Sequence, residues 1–169
     1  MENLPAEIAF EISIPIGPEW RSVELLRTSI LNCLAAMFHD KEFCHSVSVV
    51  AGELMENSIK YGDWEGDNRH FRLRAYGSNH RIVIEVQNPI KPDSSHLKNL
   101  ESTINWISSF DDPASAFMEK IKGMIHQDQA GDESGLGLAR IASESNCSLE
   151  FESTTPGLIL VRAVIPVAP

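Results

Sequence analysis

Hydrophobic positions change period several times along the chain, and each change predicts an element. Residues 8–16, IAFEISIPI, alternate with a period of two and predict a strand, which Pro15 places at a sheet edge or at its own end. Gly17-Pro18-Glu19 breaks the alternation. Trp20, Val23, Leu26, Ile30, Leu34, Met37 and Phe38 then recur at helical spacing, predicting an amphipathic helix over residues 18–38 with Trp20 and Phe38 as core anchors. Asp40 suits the N-cap of the next helix. That helix is residues 43–62, FCHSVSVVAGELMENSIKYG, where Val50, Leu54 and one of Val47 or Ala51 form the apolar stripe. Gly62 suits a left-handed C-terminal cap, which would end the helix where Lys60 and Tyr61 are presented.

After a polar loop, residues 70–76 alternate, with Phe71, Leu73 and Ala75 on one face and His70, Arg72, Arg74 and Tyr76 on the other. Gly77-Ser78-Asn79 turns the chain, and residues 81–88 return with Ile82, Ile84 and Val86 inward and Arg81, Val83, Glu85 and Gln87 outward. One oily and one salted face predict an antiparallel sheet covered on one side, with the outward arginines pairing across strands to Glu85 and Glu150. Residues 91–134 are too long for a structureless loop in a compact domain. Within them Leu97, Leu100, Ile104 and Ile107 predict a helix capped by Ser94, and Phe117, Ile121, Met124 and Ile125 predict a second that starts at Asp112-Pro113. The polar run 127–133, QDQAGDE, suits a hinge. A short helix with Leu138, Ile141 and Ala142 inward follows, then a strand carrying Cys147, Leu149 and Phe151, a turn at Thr155-Pro156-Gly157, and a last strand over 158–164.

Composition narrows the function classes. With 169 residues, 43% of them hydrophobic, the chain fits one domain, residues 1–169, with 91–134 as an insertion. A formal net charge of −10 argues against nucleic-acid binding and favours a basic protein partner. Cys33, Cys44 and Cys147 are odd in number and lie in apolar patterns, so they read as core thiols in a reducing compartment. No apolar run reaches membrane-spanning length and the start lacks a signal pattern, so a cytoplasmic location is expected. The histidines show no ligand spacing and no phosphoacceptor motif.

Two stretches carry chemistry. On the second helix Glu53, Asn57, Lys60 and Tyr61 recur at spacings of four, three and one, setting a carboxylate, a carboxamide and an ammonium on one face. An Asn oxygen suits Mg²⁺ that keeps waters and shares phosphate oxygens, a Glu one turn earlier could accept a hydroxyl proton, and the Lys could meet phosphate charge. The same residues also read as a polar helical face that meets water. Far along the chain Gly135, Leu136, Gly137 and Leu138 precede a helical pattern, where a close-approaching backbone and a helix start can face a polyanion.

Together, ELMENSIKYG and SGLGLARIA resemble the N-box and second glycine box of the GHKL ATPase superfamily, and most of all the small anti-sigma-factor serine/threonine kinases of bacterial partner-switching systems. The resemblance covers nearly the whole chain. It implies the Bergerat ATP-binding fold, an α/β (α+β) two-layer sandwich in which helices cover one face of a mixed, mainly antiparallel sheet. It implies Glu53 as general base, Asn57 as Mg²⁺ ligand, Lys60 as a phosphate neighbour and the 135–138 backbone as a phosphate cradle, with residues 91–134 as the lid over ATP. The chain departs from the family at the adenine-binding Asp, where Asn88 stands, followed by Pro89 and Ile90 in place of the expected loop and glycine. Two functions are therefore expected: an ATP- and Mg²⁺-dependent kinase that binds a sigma-like regulatory target and phosphorylates an antagonist protein, or a non-catalytic module of the same fold acting through protein contacts. The lid could close on a ligand or onto a second copy of the chain in a homodimer.

Overall fold

In the computed structural model, which describes residues 8–15, 20–65, 70–78, 80–91, 94–126, 135–155 and 157–167, the alternating stretches are strands and the 3.6-period stretches helices. The strands are β1 (Ile8–Pro15), β2 (His70–Ser78), β3 (Arg81–Pro89), β4 (Ser148–Thr155) and β5 (Leu158–Pro166). The helices are α1 (Trp20–Met37), α2 (Lys41–Tyr61), α3 (Ser95–Ser108), α4 (Pro113–His126) and α5 (Leu136–Glu144). The strands form one open sheet in the order β1-β2-β3-β5-β4. Every described pairing is antiparallel, so the sheet is not mixed. β1 and β2 are neighbours although two helices join them, and three helices lie between β3 and β4, which forms the edge opposite β1. β1 is an edge strand, as Pro15 requires.

The oily face of the sheet, with Phe71, Leu73, Ile82, Ile84, Val86, Val161 and Ala163, is buried in the core, where α2 lies against β3 and β5 and α3 against β4. Both Val47 and Ala51 of α2 are buried, widening its stripe beyond one choice. α1 packs along α2 through Ile30 and Leu34, and Phe38 meets Phe43 edge to face at 5.2 Å. Burial of each large aliphatic or aromatic side chain contributes about 1.5–3 kcal/mol. The Trp20 side chain and the 127–133 hinge lie outside the described residues.

Four local expectations are corrected. Gly62 does not adopt the left-handed conformation: its φ of −66° and ψ of 151° are extended. It is small because a Cβ there would sit 2.6 Å from both the Ser58 carbonyl and the Trp64 ring, which folds back on the helix end and donates to Ile59 O at 3.0 Å. Cys33 is exposed on α1, whereas Cys44 and Cys147 are buried. Ile125, assigned to the stripe of α4, is 75% exposed, and Met37 is exposed too. On the salted face, Val83 and Glu85 are buried rather than solvated. Glu85 lies under a cluster: Arg162 donates to it at 2.8 Å, Arg74 and Tyr76 each at 3.3 Å, and Arg162 also reaches Glu152 at 3.1 Å. Cross-strand pairing of the arginines is as expected; a carboxylate only 5% exposed at its centre is not.

Candidate functional site

Position along α2 is set at its start, where Asp40 accepts from the N–H groups of Glu42 and Phe43 at 2.9 and 3.0 Å, and by the buried stripe that faces the sheet. With that face fixed, Glu53, Asn57, Lys60 and Tyr61 turn toward one cavity of about 230 Å³. Asn88 enters it from the end of β3, Gly135, Leu136, Gly137 and Leu138 from the start of α5, and Leu54, Ile90, Ile159 and Val161 supply apolar wall. Every residue singled out in the two sequence stretches, and Asn88, thus lines the same space, although 82 positions separate Glu53 from Gly135.

At the centre Asn57 Nδ2 donates to the main-chain oxygen of Glu53 at 2.9 Å and to its Oε1 at 3.3 Å. Those two bonds occupy the donor half of the amide and leave Oδ1 as the acceptor. The Glu53 side chain is 16% exposed, and its Oε2 accepts from Arg140 Nη2 at 3.1 Å. Burial pushes the Glu53 carboxyl above the usual range; Arg140 pulls it back, Glu56 pushes it further up, and the Asn57 and Arg140 hydrogen bonds oppose. α5 can lie this close only because residue 137 is glycine: a Cβ there would collide with the Glu53 carboxylate. Gly135 caps α5 at a φ of 64°, a conformation glycine takes without strain, and a Cβ on it would stand 2.7 Å from Thr103 Cγ2 of α3.

Asn88 is 3% exposed, and its Nδ2 donates to the Pro89 carbonyl at 2.9 Å. The reverse amide orientation would set two oxygens against each other, so Oδ1 is the half left to accept a bond. Pro89 O also accepts from Asp63 N at 2.9 Å, and Ile90 N donates to Gly157 O at 2.9 Å, so the departure from the family pattern is an ordered strand end.

Sequence reasoning missed two contributions. α3 brings His96, Asn99, Leu100 and Thr103 to the cavity, and the rings of Tyr61 and His96 lie 4.7 Å apart, with Lys60 Nζ 5.2 Å from the Tyr61 ring. The three polar residues do recur at helical spacing beside the Leu97–Ile104 stripe, a signal that was present but reads as solvated surface without the cavity. Arg140 carried no signal, because its partner is 87 positions away.

The residues fit a magnesium nucleotide. The first turn of α5 presents a helix start with a positive dipole end, glycines at 135 and 137 let it lie close to Thr103 and Glu53, and the Asn57 and Asn88 amides line the same cavity. Among the described residues no three His, Cys, Asp or Glu side chains are grouped to hold a metal. Asp112 caps α4, accepting from Ser115 N at 3.0 Å, as the helix start at Asp112-Pro113 requires.

Among the described residues no helix is long and apolar enough to cross a membrane. No protein-family model matches the chain, and no curated protein matches it significantly. Among solved structures, the chain is similar to one in the crystal structure of the SiaB–SiaC complex from Pseudomonas aeruginosa, at 22% identity and a TM-score of 0.67, over 95% of this chain and 91% of that one. At that identity the likeness establishes a common fold, held over nearly the full length of both chains.

Proposed function

We propose that the chain is a regulatory protein serine/threonine kinase of the anti-sigma type, which uses ATP and Mg²⁺, binds a regulatory target and phosphorylates an antagonist protein. The observation that carries this reading is the convergence of Glu53, Asn57, Lys60, Asn88 and residues 135–138 on one cavity from three distant parts of the chain. The fold shared with a chain crystallised in a two-protein complex supports a role exercised through protein partners. When bound, Mg²⁺ and ATP would supply the phosphoryl group and neutralise its charge. Glu53 would take the proton of the incoming Ser or Thr hydroxyl, whose oxygen forms the new bond to phosphorus as the bond to the ADP oxygen breaks. Asn57 Oδ1 would hold the metal, Lys60 and the start of α5 would meet phosphate oxygens, and Asn88 Oδ1 would accept from the adenine amine.

Calorimetric titration with Mg²⁺–ATP tests it. Wild type is expected to bind saturably and Asn57→Ala at least about tenfold more weakly, the loss of one charge-assisted contact of about 1.4 kcal/mol or more. No heat up to millimolar ATP sinks the reading.

One observation favours a second reading, a non-catalytic interaction module: the Glu53 carboxylate is already engaged by Arg140 and Asn57. Glu53→Ala separates the two. Partner binding kept and partner phosphorylation lost supports the kinase; indifference of every partner-related activity to Glu53 and Asn57 supports the module.

A further inference from the structure

The insertion between β3 and α5 supplies more than a cover. Ser94 caps α3 by accepting from Leu97 N at 3.2 Å, and Ile104 and Ile107 are buried, which together fix the roll of the helix. On the face left toward the cavity, His96, Asn99, Leu100 and Thr103 recur at spacings of three, one and three. A helix rises about 10 Å over the seven residues from His96 to Thr103, so the two meet different elements. The His96 ring lies 4.7 Å from that of Tyr61 at the end of α2, while Thr103 meets Gly135 at the start of α5.

The Thr103 contact is close on both branches of its side chain. A Cβ on Gly135 would stand 2.7 Å from Cγ2 and 3.1 Å from Oγ1, so the hydroxyl as well as the methyl faces the helix start. Two residues further on, a Cβ on Gly137 would collide with the Glu53 carboxylate. The first turn of α5 is thus flanked by a hydroxyl from α3 and a carboxylate from α2, and all three line one cavity. A hydroxyl donates to a phosphate oxygen, and an ionised carboxylate cannot. With Glu53 as the base, the phosphoryl group to be transferred lies beside it at this helix start, within reach of Thr103.

We propose that Thr103 is a further binding residue of this site: its hydroxyl donates to the terminal phosphate of Mg²⁺–ATP and lets the protein tell ATP from ADP. The proposal rests on the nucleotide reading of the cavity and extends it, since neither chemical stretch contains Thr103. It makes α3 a wall that reads the phosphate chain.

The test is a calorimetric titration of the full chain with Mg²⁺–ATP and with Mg²⁺–ADP, in wild type, Thr103→Val and Thr103→Ser. Valine keeps the branched shape against Gly135 and loses only the hydroxyl; serine keeps the hydroxyl and loses only the methyl. Thr103→Val is expected to bind Mg²⁺–ATP about tenfold more weakly, the loss of one hydrogen bond to a charged group, and to bind Mg²⁺–ADP as wild type does. Thr103→Ser is expected to keep the wild-type affinity for both. A residue that only packs against Gly135 gives the reverse order, with Ser weakened and Val unchanged, and this overturns the proposal. So does an equal loss for ATP and ADP in Thr103→Val, or no loss in either variant. Should Thr103→Val fail to fold, Thr103→Ala beside Thr103→Ser makes the same comparison, because that pair also differs only in the hydroxyl. Wild type that binds neither nucleotide removes the nucleotide reading and this proposal with it; wild type that binds Mg²⁺–ATP beside an unweakened Thr103→Val removes this proposal alone.

Discussion

A single missing Cβ decides whether the two chemical stretches can meet. Gly137 puts the backbone of α5 against the Glu53 carboxylate, and any side chain there must push one of them away. Gly137→Ala is expected to destabilise the chain by about 1–3 kcal/mol, the usual cost of overpacking, read as a lowered urea midpoint. It should also weaken Mg²⁺–ATP binding, because the start of α5 can no longer sit in place. An unchanged urea midpoint would mean that Glu53 yields without cost. At this scale the sequence told much: the four- and three-residue spacing of Glu53, Asn57 and Lys60 is a local property of one helix, and the structure keeps it. Asn88 was legible as a departure but not in its consequence, since the bond that occupies its donor half goes to the carbonyl of Pro89. Arg140 and Cys33 were misjudged or missed for one reason: exposure and pairing depend on where a whole helix lies.

Elements were legible wherever a period ran long enough, and their ends where a side chain caps them. Asp40, Ser94 and Asp112 each accept from an N–H of the first turn that follows, as residue type and position required. The end of α2 was read wrongly because glycine has two uses, and tertiary contact with Trp64 selected the close approach over the left-handed turn. The outer face of the sheet shows the same limit. Alternation placed Glu85 outward, correctly, but outward positions at the middle of a sheet are covered by long neighbours, here Arg162 and Tyr76. Removing the closer cation should leave a buried carboxylate half paired. Arg162→Ala is expected to cost about 1–3 kcal/mol in urea unfolding, and Arg74→Ala distinctly less, because Arg74 is 46% exposed and water replaces it. Equal costs would show that Glu85 does not discriminate between them.

For the molecule as a whole, the sheet and α2 form a fixed frame, and α3 and α5 close the cavity from the other side. Ligand binding should therefore read out on separate elements together. Mg²⁺–ATP at about 100 times its dissociation constant should stabilise wild type by about 2.7 kcal/mol, and this gain should shrink in Asn57→Ala. Hydrogen exchange should slow at the C-terminal half of α2, in α3 and at the start of α5. Protection confined to α2 would remove α3 from the site. The net charge of −10 belongs to this scale as well: encounter with a basic partner should slow as salt rises.

The sequence by itself determined the order of strands and helices, the oily and salted faces of the hairpin, and the side chains shared by one face of α2. All of these follow from periods of 2 and 3.6 and from capping chemistry within a few residues. Only the tertiary structure decided that the sheet is antiparallel throughout, that Glu85 is buried, and that Arg140 lies on Glu53. Each of these joins residues tens of positions apart, and such contacts are set by how the buried faces of whole elements pack, which no local spacing encodes.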